Sequence, residues 1–170
     1  MKHSNITPFK GVTTDPLQLI SDWMHGGDLL GHIKNKPDAD RLELVNVPPS
    51  ELTLADSRYQ LSDAVDGLNY LHSRNVIHGN LKGVRDYSGS RFTVLMFGQS
   101  NILVDANGHA RIMNFSFATV SSDMDPEQII SDQSVESHQW SVPEVLEGGT
   151  TSKEADVFSF AMVMIEGRYR

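Results

Sequence analysis

The chain has no cysteine, which removes disulfide staples and thiolate metal sites from consideration. That absence fits a reducing compartment, and the cytoplasm is the expected location. No apolar run reaches the length a membrane helix needs, and no charged-then-apolar leader opens the chain. Neither membrane insertion nor secretion is therefore expected. Basic charge is scarce: 14 Lys and Arg stand against 22 Asp and Glu, for a formal net charge of -8. Nucleic-acid binding depends on clustered Lys and Arg, so no nucleic-acid partner is expected. The seven histidines show no metal-ligand spacing. Internal repeats and low-complexity tracts are missing too. What remains has an ordinary globular composition, and 170 residues suffice for one sizeable core.

Periodicity and turn chemistry place the elements. Pro16 to Ser21 is a short strand-like apolar run, and Gly26-Gly27 breaks it. Asp28 to Ile33 reads as a short helix capped by Asp28. Three prolines and mixed charge make residues 35–50 a loop. Thr53-x-x-Asp56 is a capping box, and behind it Leu54, Leu61, Val65, Leu68 and Leu71 predict a helix over about 53–73. Ile102 to Val104 and Ala110 to Met113 flank Asn107-Gly108, a two-residue hairpin signal. Residues 121–139 are polar and aperiodic, which predicts a long loop. Asp156 to Ile165 is an apolar run of helical length, expected to be buried on most sides. Helices with small hairpins make this an α+β chain.

Order carries more information than any one motif. After the capped helix come Val76-Ile77-His78-Gly79-Asn80, then Asn101-Ile102-Leu103-Val104, then Asn114-Phe115-Ser116, Val142-Pro143-Glu144 and Asp156-Val157-Phe158. This succession resembles the large lobe of the protein kinases. His78-Gly79-Asn80 stands for His-Arg-Asp, Asn114-Phe115-Ser116 for Asp-Phe-Gly, and Val142-Pro143-Glu144 for Ala-Pro-Glu. Upstream, Leu19 to Met24 is similar to the fifth strand and hinge, and Gly27-Asp28-Leu29-Leu30 to the helix beyond. The Gly after His78 and the Leu-Lys-Gly after Asn80 resemble the tyrosine-kinase-like group in fungal forms, and Lys82 is its Ser/Thr-type residue.

The resemblance implies a protein-kinase-like α+β fold truncated at both ends. Residues 1–24 would be the end of the small lobe and the hinge, and residues 25–170 an incomplete large lobe. With the rest of the small lobe missing, apolar surface around Ile20, Trp23 and Leu103 is expected to lie uncovered. Family chemistry would use ATP and magnesium to phosphorylate a protein Ser or Thr. Asp22 and Met24 would then face the adenine from the hinge and Leu103 from the floor. Asn80 and Lys82 would form the catalytic loop, with Asn101 and Asn114 at the metal. His78, Phe115, Glu144 and Asp156 would be structural, His78 packing on Phe115 and Asp156 holding the catalytic-loop backbone. His138 and Trp140 stand where kinases meet substrate.

Two replacements oppose catalysis. Asn80 is a neutral amide where the family has a carboxylate near the substrate hydroxyl. Asn114 is an amide where it has a magnesium carboxylate, and magnesium prefers anionic oxygen. ATP and magnesium binding are therefore in doubt. Gly79 replaces the Arg that would read a phosphorylated activation loop.

Between the catalytic-loop halves lie sixteen residues, Val84 to Gln99, that match nothing. Without them Asn101 falls five residues after Asn80, the kinase spacing. Sixteen codons are 48 nucleotides, a Val codon begins with GT, and a Gln codon can end in AG. These are the dinucleotides that bound an intron. A retained intron translated in frame is the preferred reading, and a surface loop insertion the alternative.

Three functions follow from these residues. The first is an inactive kinase-family domain acting as a protein-binding module for another protein. The second is an ATP-binding kinase with residual activity, and the third a non-functional truncated or mis-spliced product.

Overall fold

A computed structural model describes residues 2–34, 57–83, 100–121 and 139–169. These fall in two compact units, Met1–Tyr70 with Ile102–Met113, and Leu71–Asn101 with Asn114–Arg170.

In the first unit, β1 (Phe9–Thr14) and β2 (Leu17–Ser21) form an antiparallel hairpin with Val12 opposite Leu19. Phe9, Val12, Leu19, Ile20 and Trp23 are all exposed, Trp23 at 79%. Leu103, by contrast, is half-buried. A second sheet has the order β3 (Gly27–Asp28), β5 (Ile102–Val104), β6 (Ala110–Ile112). Helix α1 (Leu29–Lys34) starts where the Asp28 carboxylate accepts the Gly31 N–H at 2.7 Å, a side-chain cap. Ile6, Leu29, Leu30, Ile33, Ile102, Val104, Ala110 and Ile112 build the core.

Helix α2 (Ser57–Ser73) spans the predicted helix, whose capping box lies outside the described residues. Its buried stripe differs from the leucine register. Gln60, Asp63, Ala64, Leu68 and Leu71 are buried, whereas Leu61 is half-buried and Val65 exposed. Polar partners explain the rotation. Gln60 donates to the Gly108 carbonyl at 3.0 Å, and Asp63 accepts the Ala110 N–H at 3.0 Å and bonds His109 at 3.1 Å. Gly67 lies on the same side because the Asn5 carbonyl would be 2.7 Å from any Cβ there. Leucine spacing does not register such bonds. The β5–β6 connection also differs from the two-residue turn. Five residues, Asp105 to His109, join the strands, because Asp105 Oδ1 accepts the N–H groups of Asn107 and His109.

In the second unit, α2 ends at Ser73, and Asn75 just beyond it takes a left-handed φ of 57° with its N–H on the His72 carbonyl at 3.1 Å. Next, β4 (Val76–Ile77) pairs antiparallel with β7 (Thr119–Val120). Helix α3 (Pro143–Leu146) begins on proline. Helix α4 (Lys153–Tyr169) is capped by Ser152, whose Oγ accepts the Ala155 N–H at 3.0 Å. Contrary to the reading of its apolar run, α4 is buried along one stripe only. Ala155, Asp156, Phe160 and Val163 face inward, while Val157, Phe158 and Ile165 are exposed. Among the described residues no helix is long and apolar enough to cross a membrane.

Candidate functional site

The second unit gathers most of the motif residues around one carboxylate. Asp156, on the first turn of α4, is 2% exposed. Its Oδ2 accepts the His78 N–H at 2.7 Å and meets His72 Nε2 at 3.0 Å, and its Oδ1 accepts the Gly79 N–H at 2.8 Å. Buried amide N–H groups need acceptors, and an ionised acceptor satisfies them well. A residue 77 positions away thus holds the backbone at Gly79. His78 is fully buried and packs edge-on against Phe115, ring centroids 5.3 Å apart. Gly79 has φ 75°, and the Phe117 carbonyl lies 2.8 Å from where its Cβ would be. No L side chain, arginine included, fits there without a shift.

From that anchored backbone runs a chain of neutral hydrogen bonds. Asn101 Nδ2 donates to the Asn80 carbonyl. Asn114 Nδ2 donates to Asn101 Oδ1 at 3.1 Å, and Ser116 Oγ donates to Asn114 Oδ1 at 2.6 Å. Asn114 holds a left-handed φ of 63°, which asparagine tolerates better than most residues. The Lys82 carbonyl accepts the Asn101 N–H at 3.2 Å and the Ser100 hydroxyl at 3.4 Å. Lys82 and Asn101 are therefore in contact across Val84–Gln99, which itself lies outside the described residues.

The amide set does not fit magnesium. That ion wants anionic oxygen at near-octahedral positions. Here Asn114 turns an N–H toward Asn101, and its carbonyl oxygen already accepts a hydroxyl proton. Among the described residues no cluster of three His, Cys, Asp or Glu could hold a metal.

Other motif residues stand apart from this network. Glu144 is exposed on α3, where its backbone carbonyl accepts the Gly149 N–H at 2.8 Å. Trp140 is not a surface residue for substrate. It is 2% exposed, and its Nε1 donates to Glu166 at 3.1 Å. His138 lies outside the described residues. Ser116 was legible only as a replaced glycine. Its position two residues after an Asn was the available signal for a local side-chain bond.

In the first unit, Asp22 and Met24 line an open cleft of about 350 Å³ together with Trp23, His25, Asp105 and Arg111. Asp22 pairs with Lys10 at 3.3 Å, and both are well exposed. The structure does not bring Leu103 into this cleft; it lies on β5 opposite Asp28.

Asp105 bonds Arg111 Nε at 2.9 Å and Nη2 at 2.8 Å. Burial raises its pKa, but the His109 N–H, the Arg111 guanidinium and the Asn107 N–H outweigh burial and hold the carboxyl below its ordinary value. Its folded-state pKa is thus depressed, so the stability it contributes is full above the unfolded value near 3.9 and is lost as pH falls through the folded one. Urea titrations from pH 7 down to pH 2 should show Asp105→Asn losing less stability in acid than the unsubstituted protein. Parallel acid limbs would deny Asp105 this role.

Comparison with known proteins adds the family. The model of the family described as protein tyrosine and serine/threonine kinase matches residues 1–85 and 97–168. A serine/threonine-protein kinase/receptor of Acanthamoeba polyphaga mimivirus is 29% identical over 98% of this chain and 8% of its own length. A serine/threonine-protein kinase of Eremothecium gossypii is 26% identical over 97% of this chain and 18% of its own length. One of Arabidopsis thaliana is 25% identical over 98% and 24%. The chain thus spans at most about a quarter of these relatives.

Proposed function

Because the chain belongs to the protein tyrosine and serine/threonine kinase family, and has its α+β architecture, we propose that it is a pseudokinase whose large-lobe surface binds another protein. One observation carries this reading. Asn114, at the magnesium carboxylate position, donates a hydrogen bond to Asn101 rather than offering a charged oxygen to a cation. Asn80, at the position of the catalytic acid, cannot accept a proton from a substrate hydroxyl. Positioning and electrostatics supply nearly all kinase catalysis, and both lose their charged groups here. A cytoplasmic location accords with the lack of cysteine.

We also propose that Val84–Gln99 is an insertion into the catalytic loop, most simply a retained intron. Two observations support it: the family match breaks between residues 85 and 97, and Lys82 bonds Asn101 across the gap.

One titration tests both readings. Magnesium–ATP added to the chain joined to a complete small lobe from an active relative, with and without Val84–Gln99, should bind no tighter than about 1 mM, roughly -4 kcal/mol. The shortened form should remain folded. Micromolar, magnesium-dependent affinity in the shortened form alone would show that the insertion, not the amides, silences the site. Such affinity in both forms would remove the argument from the amides, and phosphate transfer to a protein would refute the pseudokinase reading.

A further inference from the structure

We propose that Asn114 is a positioning residue that closes the metal position from within. Its amide N–H takes the place of the cation, so the segments around Asn80, Asn101 and Asn114 keep their shape without divalent metal or nucleotide. This rests on the pseudokinase reading and adds a consequence for regulation. The surface offered to a partner is formed permanently and is not gated by ATP.

The polarity of the amide chain leaves one assignment. The Asn80 carbonyl can only accept, so Asn101 must turn its Nδ2 toward it. Asn101 Oδ1 then faces Asn114, which must present its own Nδ2, 3.1 Å away. Asn114 Oδ1 is left to accept the Ser116 hydroxyl. Each link in the run sets one donor against one acceptor. Asn101 is 1% exposed, and a buried amide in that position needs its bonds.

Aspartate at position 114 would have nearly the same size and would also tolerate a φ of 63°. It would differ in one respect. A carboxylate oxygen would face Asn101 Oδ1, acceptor against acceptor. Asn101 could rotate to donate only by abandoning the Asn80 carbonyl. A cation between the two oxygens would relieve the conflict. The identity of one atom therefore separates a metal-dependent loop from a metal-independent one.

Thermal unfolding of the 170-residue chain and of Asn114→Asp, each in EDTA and in millimolar magnesium or manganese, tests the proposal. The midpoint of the unsubstituted chain should move by less than about 1 °C between the conditions. Asn114→Asp should melt about 5 °C lower in EDTA and recover about half of that with metal. Equal stabilisation of both proteins by metal, or an Asn114→Asp midpoint unchanged in EDTA, would refute it. Should the variant not fold, the unsubstituted chain still decides. The side-chain amide protons of Asn101 and Asn114 should exchange slowly and stay sharp as manganese is added. Selective broadening of those signals would sink the proposal. Metal binding without phosphate transfer would remove this inference and leave the pseudokinase reading standing, whereas phosphate transfer would remove both.

Discussion

No transfer of radiolabelled phosphate from ATP is expected from this sequence, even after Val84–Gln99 is removed and a complete small lobe is supplied from an active relative. The added lobe matters because ATP needs walls on both sides. In the same chimera, the double substitution Asn80→Asp with Asn114→Asp should raise the rate at least about 1,000-fold. A positioned base contributes about 100- to 10,000-fold, and preorganised charge at the transferring phosphate contributes comparably. A 1,000-fold gain corresponds to about 4 kcal/mol of barrier. Both carboxylates act on one transition state, so each single substitution should recover much less than the double one. Comparable rates in the original and doubly substituted proteins would restore the chain to the enzymes.

The largest effect on stability should come from Asp156. Asp156→Ala removes the acceptor of the His78 and Gly79 N–H groups and the partner of His72. Each buried donor left unsatisfied costs about 1–3 kcal/mol, so the total is about 3–5 kcal/mol. A domain of this size has about 5–15 kcal/mol to lose, and the midpoint should fall by about 10 °C. Asp156→Asn should fall between, since one amide oxygen still accepts while the amide N–H meets a donor. Because Gly79 has a left-handed φ against the Phe117 carbonyl, releasing its N–H should also loosen the catalytic-loop backbone. Hydrogen exchange at Gly79 and Asn80 should accelerate in Asp156→Ala. An unchanged melting temperature would mean that the three bonds are replaced elsewhere, and that the carboxylate is not the anchor.

Much of the fold could be read from residue order. The Asp28 cap, the helix through Leu71 and the strands at Ile102 and Ala110 follow from local chemistry, and local chemistry is what a sequence displays. The buried side of α2 could not be read that way. Its register follows Gln60 and Asp63 because both meet the distant 108–110 segment, and those partners are invisible from helix periodicity. The burial of Trp140 was hidden for a similar reason, since its indole N–H meets Glu166, 26 positions away. The apolar run of α4 could show how much of the helix is oily, but not which side is covered.

At the candidate site the division is sharper. Sequence alone determined that neutral amides stand at positions 80, 101 and 114, because formal charge is a property of residue type and survives any fold. It also determined the spacing that brings Asn101 back into the catalytic loop once Val84–Gln99 is set aside. Only the tertiary structure decided that the Asn101 and Asn114 amides are joined, that Asn101 reaches the Asn80 backbone carbonyl, that Asn114 turns its N–H rather than its oxygen toward Asn101, and that Asp156 holds the backbone at His78 and Gly79. Those facts depend on distance and direction between residues far apart in the chain. A hydrogen bond exists only where folding brings donor and acceptor within about 3 Å in the right orientation.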